Sequence, residues 1–124
     1  PLLKRAQRAK VINISSIAGR KASPGMGIYS IAKAGLDMFT KVLGAELASY
    51  GINVNAVAPG MVRTDFSKPL WSQPEMLREI ESRIPMARIG EIEEVVGAVI
   101  FLSSPMANYI TGEVFVVDGG AQVW

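Results

Sequence analysis

The 124-residue sequence contains no cysteine and no histidine. Without cysteine there is no thiol nucleophile and no disulfide, and without either residue the ordinary zinc sites and histidine-based catalysis are excluded. The redox compartment stays open, because a chain free of cysteine is compatible with either environment. Long apolar runs are missing too. None approaches the roughly 20 residues needed to span a bilayer, so the expectation is a soluble protein, cytoplasmic by default, with no membrane partner. Charged residues make up only 19% and are scattered, for a net charge of +2. The one basic cluster, PLLKRAQRAK with Lys4, Arg5, Arg8 and Lys10, lacks the interleaved aromatics of a nucleic-acid surface. Basic residues at the end of a helix favour its dipole and stay solvated, so no nucleic-acid partner is expected.

Apolar residues, by contrast, make up 49% of the chain, ample for the core of one modest domain. Short apolar, β-branched stretches predict strands at VINISS (11–16), NVNAVAPG (53–60) and EVFVVDGG (113–120). Helices are predicted at 28–50, stopped by Gly51, at about 75–83, and at 91–103, which is acidic at its start. Strand, helix, strand, helix, strand is the alternation of a parallel sheet covered by helices, an α/β fold, and continuous apolar strands fit burial on both faces. Three strands make a thin sheet, and the edge beside VINISS is expected to lie open.

In the long helix, Ile28, Ile31, Ala32, Leu36, Phe39, Leu43 and Leu47 recur at helical spacing and predict the core face. Ala34, Met38, Val42 and Ala45 form a second stripe, suited to contact with another subunit or with a missing segment, or else part of one broad core face with ordinary exposed alanines. Tyr29 and Lys33 lie beside the first stripe.

Residues four apart on a helix project to the same side, one turn apart. A phenol is a poor acid or base near neutral pH, and an ammonium beside it favours the phenolate, so Tyr29-x-x-x-Lys33 has a rationale as a proton-transfer pair. Alone the pattern is weak, since a packing tyrosine and a solvated lysine would produce it. Ser16 ends the first predicted strand thirteen residues earlier, and strand ends of parallel sheets are where ligand sites form. A hydroxyl there can donate to a substrate oxygen. At the end of the next strand, APGMVRT (58–64) turns sharply at Pro59 and Gly60, exposes backbone groups near Val62 and presents Thr64.

Ser16, Tyr29 and Lys33 in VINISS…YSIAK, followed by INVNAVAPGMVRTDF, PMARIGEIEEV, FLSS and YITGEVFVVDGG, resemble the short-chain dehydrogenase/reductase family over nearly the whole chain. The resemblance implies hydride transfer between NAD or NADP and a carbonyl or alcohol, with a 3-oxoacyl thioester, a sugar or polyol, or a small ketone all open as substrate. It implies Tyr29 as general acid or base and Lys33 as the cation acting on Tyr29 and on the nicotinamide ribose. Ser16 would steady the substrate oxygen. Pro59, Gly60 and Val62 would hold the nicotinamide carboxamide and Thr64 the cofactor near its diphosphate.

The family's Gly-rich TGxxxGxG turn does not occur in these 124 residues. Residues 1–124 are therefore expected to form the second half of one Rossmann-type domain, supplying strands 5, 6 and 7 of a doubly wound parallel sheet. Such a half is expected to be nearly inactive alone. The segment 65–90 corresponds to a substrate lid. Phe66, Leu70, Trp71, Met76 and Leu77 are candidates to line an apolar pocket and Lys68, Arg78 and Arg83 to meet an anion, each weighed against simple packing or solvation. The resemblance also implies a homo-oligomer, dimer or tetramer, through the helix 28–50 and the last strand. The rival is a non-catalytic assembly or binding module of the same ancestry.

Overall fold

The computed structural model describes residues 2–6 and 8–123. Its centre is a strand, β2 (Asn53–Pro59), in which Val54, Ala56, Val57 and Ala58 are fully buried. β1 (Lys10–Ile14) and β3 (Val114–Val117) flank it, both parallel to it, in the order β1-β2-β3. Val11 stands opposite Val54, and Ala58 opposite Val116. Because β2 is covered on both faces, its sequence reads as an apolar run. The exception, Asn55, is buried and satisfied. Its amide donates to the Ile110 carbonyl at 2.9 Å, and its oxygen accepts from Glu113 N at 3.0 Å.

Alternation along β2 sorts the core into two layers. Val54 packs with Ile52, Ala9, Val11, Leu43 and Leu47, under the helix α2 (Gly27–Leu47). Val57 packs with Leu102, Ala107, Ile12 and Phe115, under α5 (Ile92–Ser103). The remaining helices are short: α1 (Leu2–Arg5), α3 (Lys68–Trp71) and α4 (Pro74–Glu81). Lys4 and Arg5 stand in the last turn of α1, where the dipole favours them. After α2 a 3₁₀ turn, Ala48–Tyr50, closes on Gly51 at φ +71°, the left-handed cap that glycine tolerates best.

Helix α3 was not legible as a helix, and β3 stops short of the expected residue 120. There Asp118 turns the chain, accepting from Gly120 N at 2.8 Å and Gln122 N at 2.7 Å. β1 ends at Ile14, although Ser15 N still donates to the Val57 carbonyl at 2.7 Å. The other edge of β1 has no partner strand among the described residues.

The predicted core face of α2 is corrected by the structure. Ile28, Ile31 and Phe39 are 88%, 74% and 53% exposed, Ala32 is exposed as well, and Leu36, Leu43 and Leu47 are half-buried. The buried line is Asp37, Thr40 and Gly44, with half-buried Lys33 above it. Periodicity reveals that a helix has an apolar face without revealing what that face meets. Here the sheet side offers polar partners and close backbone. Asn13 donates to Thr40 Oγ1 at 2.9 Å, and a Cβ on Gly44 would lie 2.6 Å from Gly112 N. Ile28, Ile31, Met38, Phe39, Val42 and Ala45, drawn from both stripes, therefore form one apolar face turned away from the sheet.

Candidate active site

β1 delivers the chain to Ser16 in an extended conformation, where Ser16 caps the 3₁₀ turn Ile17–Gly19. Its Oγ accepts from Ala18 N at 3.2 Å; a hydroxyl that accepts in this way keeps its own proton to donate. The turn lies flush on α2. A Cβ on Gly19 would sit 2.6 Å from Ala34 N and 2.7 Å from Lys33 C, so only glycine permits the approach.

Tyr29 stands in the first turn of α2 and Lys33 one turn later, both half-buried. Lys33 Nζ donates to the Ile14 carbonyl at 2.8 Å and lies 5.5 Å from the centroid of the Tyr29 ring. The ammonium is thus tied to the strand end two residues before Ser16 and sits against the phenol. Three residues singled out by sequence are gathered where β1 ends and α2 begins.

The second group sits where β2 ends. Gly60 N donates to the Val117 carbonyl at 2.9 Å, and a Cβ on Gly60 would lie 2.7 Å from Asp118 Cβ, so the turn after Pro59 presses against the end of β3. Val62 forms a parallel bridge with Gly90, and its carbonyl accepts from Ser67 Oγ at 2.5 Å. Thr64 is half-buried and engaged. Its Oγ1 lies 3.0 Å from Ser67 Oγ and accepts from Ser67 N at 3.2 Å, a hydroxyl motif that closes the turn into α3. A cleft of about 350 Å³ takes in Met61, Val62, Arg88, Glu94 and Gly120 but none of Ser16, Tyr29 and Lys33.

In the segment 65–90, Trp71 packs on its own loop. Its Nε1 donates to Thr64 O at 3.2 Å and Ser67 Oγ at 3.1 Å, and the Arg63 guanidinium stacks 4.7 Å above its ring. Phe66 is 82% exposed, Leu70 and Met76 are exposed, and Leu77 is half-buried. Lys68, Arg78 and Arg83 are exposed, with Arg83 paired to Glu79. No cluster of three metal-ligating side chains occurs among the described residues, and no helix among them is long and apolar enough to cross a membrane.

Sequence reasoning missed three participants beside the site. Ser15 is 3% exposed and donates to the carboxylate of Asp37, which is 7% exposed and also faces Arg20 at 3.4 Å. The one available signal was the position of Asp37, four residues after Lys33 on the same helical face.

Residues 1–122 match the family described as enoyl-(acyl carrier protein) reductase. A 3-oxoacyl-[acyl-carrier-protein] reductase of Synechocystis sp. is 48% identical over 120 residues, covering 96% of this chain and 47% of that protein. Among solved structures, a gluconate 5-dehydrogenase from Burkholderia cenocepacia in complex with NADP and tartrate superposes with a TM-score of 0.89 at 34% identity, over 93% of this chain and 45% of that one. A 4-hydroxyisoleucine dehydrogenase complexed with NADH gives a TM-score of 0.92 at 30% identity, over 94% and 48%. The chain spans about half the length of the curated relatives it matches. With its three-stranded parallel sheet, Ser16 at a strand end and Tyr29 and Lys33 one helical turn apart, the chain belongs to the short-chain dehydrogenase/reductase family.

Proposed function

We propose that these residues carry the proton-transfer half of an NAD- or NADP-dependent oxidoreductase acting on a carbonyl or alcohol, and that a 3-oxoacyl thioester is the first substrate to try. The observation that carries the reading is the tie of Lys33 Nζ to the strand end bearing Ser16, with the same ammonium against the Tyr29 ring. The names of the reductases it resembles support the substrate choice.

In the direction of reduction, Tyr29 gives its hydroxyl proton to the carbonyl oxygen while the Ser16 hydroxyl donates to that oxygen and holds it. Lys33 stabilises the phenolate left behind. One of its three N–H donors is taken by Ile14 O, which leaves others for ribose hydroxyls. The nicotinamide, when bound, supplies or accepts the hydride. Gly60 suits such a site because its missing side chain lets the turn after β2 press against Asp118, which fixes the backbone on either side of it. Pro59 and Val62 would share the carboxamide, and Thr64 would exchange its contact with Ser67 for a diphosphate oxygen.

We further infer that residues 1–124 act as the second half of one Rossmann-type domain and turn over little by themselves. The apolar face of α2 and the region of β3 are assigned to contact with a second copy. A rival reading, an assembly or binding module without catalysis, draws on that same exposed face.

The test is Tyr29→Phe in the protein encoded by the complete reading frame, followed by oxidation of NADPH or NADH with a 3-oxoacyl thioester. The expected loss is of order 10²–10⁴-fold, the usual worth of a positioned acid–base group. A variant that keeps its full rate removes the catalytic reading and leaves the assembly module.

A further inference from the structure

Ser15, beside the substrate-facing serine, is itself held more tightly than its neighbour. Its N–H donates to Val57 O at 2.7 Å, and its hydroxyl donates to Asp37 and lies 3.3 Å from the Lys33 carbonyl. Asp37 projects from α2 one turn beyond Lys33. A carboxylate so deeply placed is costly unless it is paired and hydrogen-bonded. Its two oxygens are divided between two donors: Oδ1 receives Ser15, and Oδ2 faces Arg20 at 3.4 Å. Both donors belong to one loop, on either side of Ser16 and the turn it caps.

The chain of contacts continues outward. Arg20 Nε donates to Gln122 Oε1 at 3.1 Å and Lys21 Nζ to Ala121 O at 2.8 Å, in the segment that Asp118 turns back after β3. The Ser16 turn is therefore clasped from α2 on one side and from the chain after β3 on the other.

We propose that Asp37 is a positioning residue, whose carboxylate fixes the Ser15–Arg20 loop to the helix bearing Tyr29 and Lys33 and so sets the Ser16 hydroxyl relative to the phenol. It touches neither substrate nor cofactor. Its leverage comes from adjacency. Ser15 points into the protein and Ser16 away from it, as alternate residues of an extended chain do, so holding the first aims the second. A displacement of about 1 Å in such a group costs up to about a hundredfold in rate.

This inference rests on the oxidoreductase reading for its kinetic part, and the experiment separates the two. Asp37→Asn and Ser15→Ala are made, singly and together, in the protein of the complete reading frame. In Asp37→Asn, amide hydrogen exchange across 15–20 is expected to quicken while that of β2 is unchanged. The value of kcat is expected to fall about tenfold or more, with KM for the cofactor within about twofold, because Lys33 keeps its bond to Ile14. The double variant is expected to be no slower than the worse single one, as for groups acting as a unit.

Unchanged exchange in the loop, or a loosened loop with kcat intact, overturns the proposal. So does a fall in kcat that merely follows loss of folded protein, which the β2 amides report. Should Asp37→Asn not fold, Ser15→Ala carries the same comparison. If Tyr29→Phe leaves the rate untouched, the oxidoreductase reading fails on its own account. The exchange data still decide whether Asp37 anchors the loop.

Discussion

Two glycines, Gly19 in the turn before α2 and Gly35 within it, show how differently the same residue type is used. Gly19 sits where a Cβ would meet the Ala34 nitrogen at 2.6 Å and the Lys33 carbonyl carbon at 2.7 Å, whereas Gly35 faces open space within a helix. The atoms opposing Gly19 are backbone and cannot swing away. Gly19→Ala is expected to destabilise by about 1–3 kcal/mol, as overpacking does. Gly35→Ala removes backbone freedom from a helix interior and is expected to stabilise by about 0.5–1 kcal/mol. Urea unfolding midpoints of the two variants should move in opposite directions, and a common direction would contradict the flush contact of the Ser16 turn with α2. Sequence offered no means of ranking these glycines, since both lie in small-residue stretches. Tyr29, Lys33 and Ser16 were legible because a one-turn spacing and a strand end are local properties. Asp37 was not, because the burial of a carboxylate depends on Ser15 and Arg20, which reach it from another element.

At the scale of elements, α5 was read correctly because its start signal is local. Glu91 and Glu94 form a capping box, with Glu91 N donating to Glu94 Oε2 at 2.9 Å. Arg88 adds two hydrogen bonds to the same carboxylate, at 2.8 and 2.6 Å. Chiefly through that arginine, and next through the Glu91 N–H, the Glu94 carboxyl is lowered from 4.5 to about 2. A carboxyl lowered in the folded state stabilises that state above its unfolded value and loses the contribution as pH falls through the folded one. The contribution is therefore complete above about pH 4.5 and fades towards pH 2. Both side chains are solvent-exposed, so screening keeps it modest. Glu94→Gln is expected to flatten the decline of stability between those pH values while leaving the shape of the curve above them, as followed by urea unfolding at stepped pH. An equally steep decline in the variant would place the acid sensitivity elsewhere. α3 was missed for the converse reason. A four-residue helix, KPLW, is too short for any periodicity to show.

The whole molecule poses the problem that α2 states most plainly. Ile28, Ile31, Met38, Phe39 and Val42, all at least 45% exposed, lie together on the side away from the sheet. A contiguous apolar face of this kind is characteristic of an interaction surface rather than of a solvated helix. The sequence disclosed that α2 has apolar stripes, but not that the second stripe and Ile28, Ile31 and Phe39 of the first point outward while Leu43 and Leu47 meet the core. Which side meets the sheet was decided by Thr40, Gly44 and their partners on β1 and after Ile110. A second copy, meeting the face with its own α2, would bury identical residues on both sides of a two-fold axis. Small residues such as Ala34, Gly35 and Ala45 among the large ones allow close approach of the helices. Met38→Glu with Val42→Glu would place two carboxylates opposite two more across that axis, an arrangement with no partner charge and a heavy desolvation cost. Neither residue is in the buried core of the single chain. The expected result is a drop in mass by light scattering to that of one copy, with the cores under β2 still protected from exchange. An unchanged mass would move the contact away from α2 and leave β3 as the surface to test next.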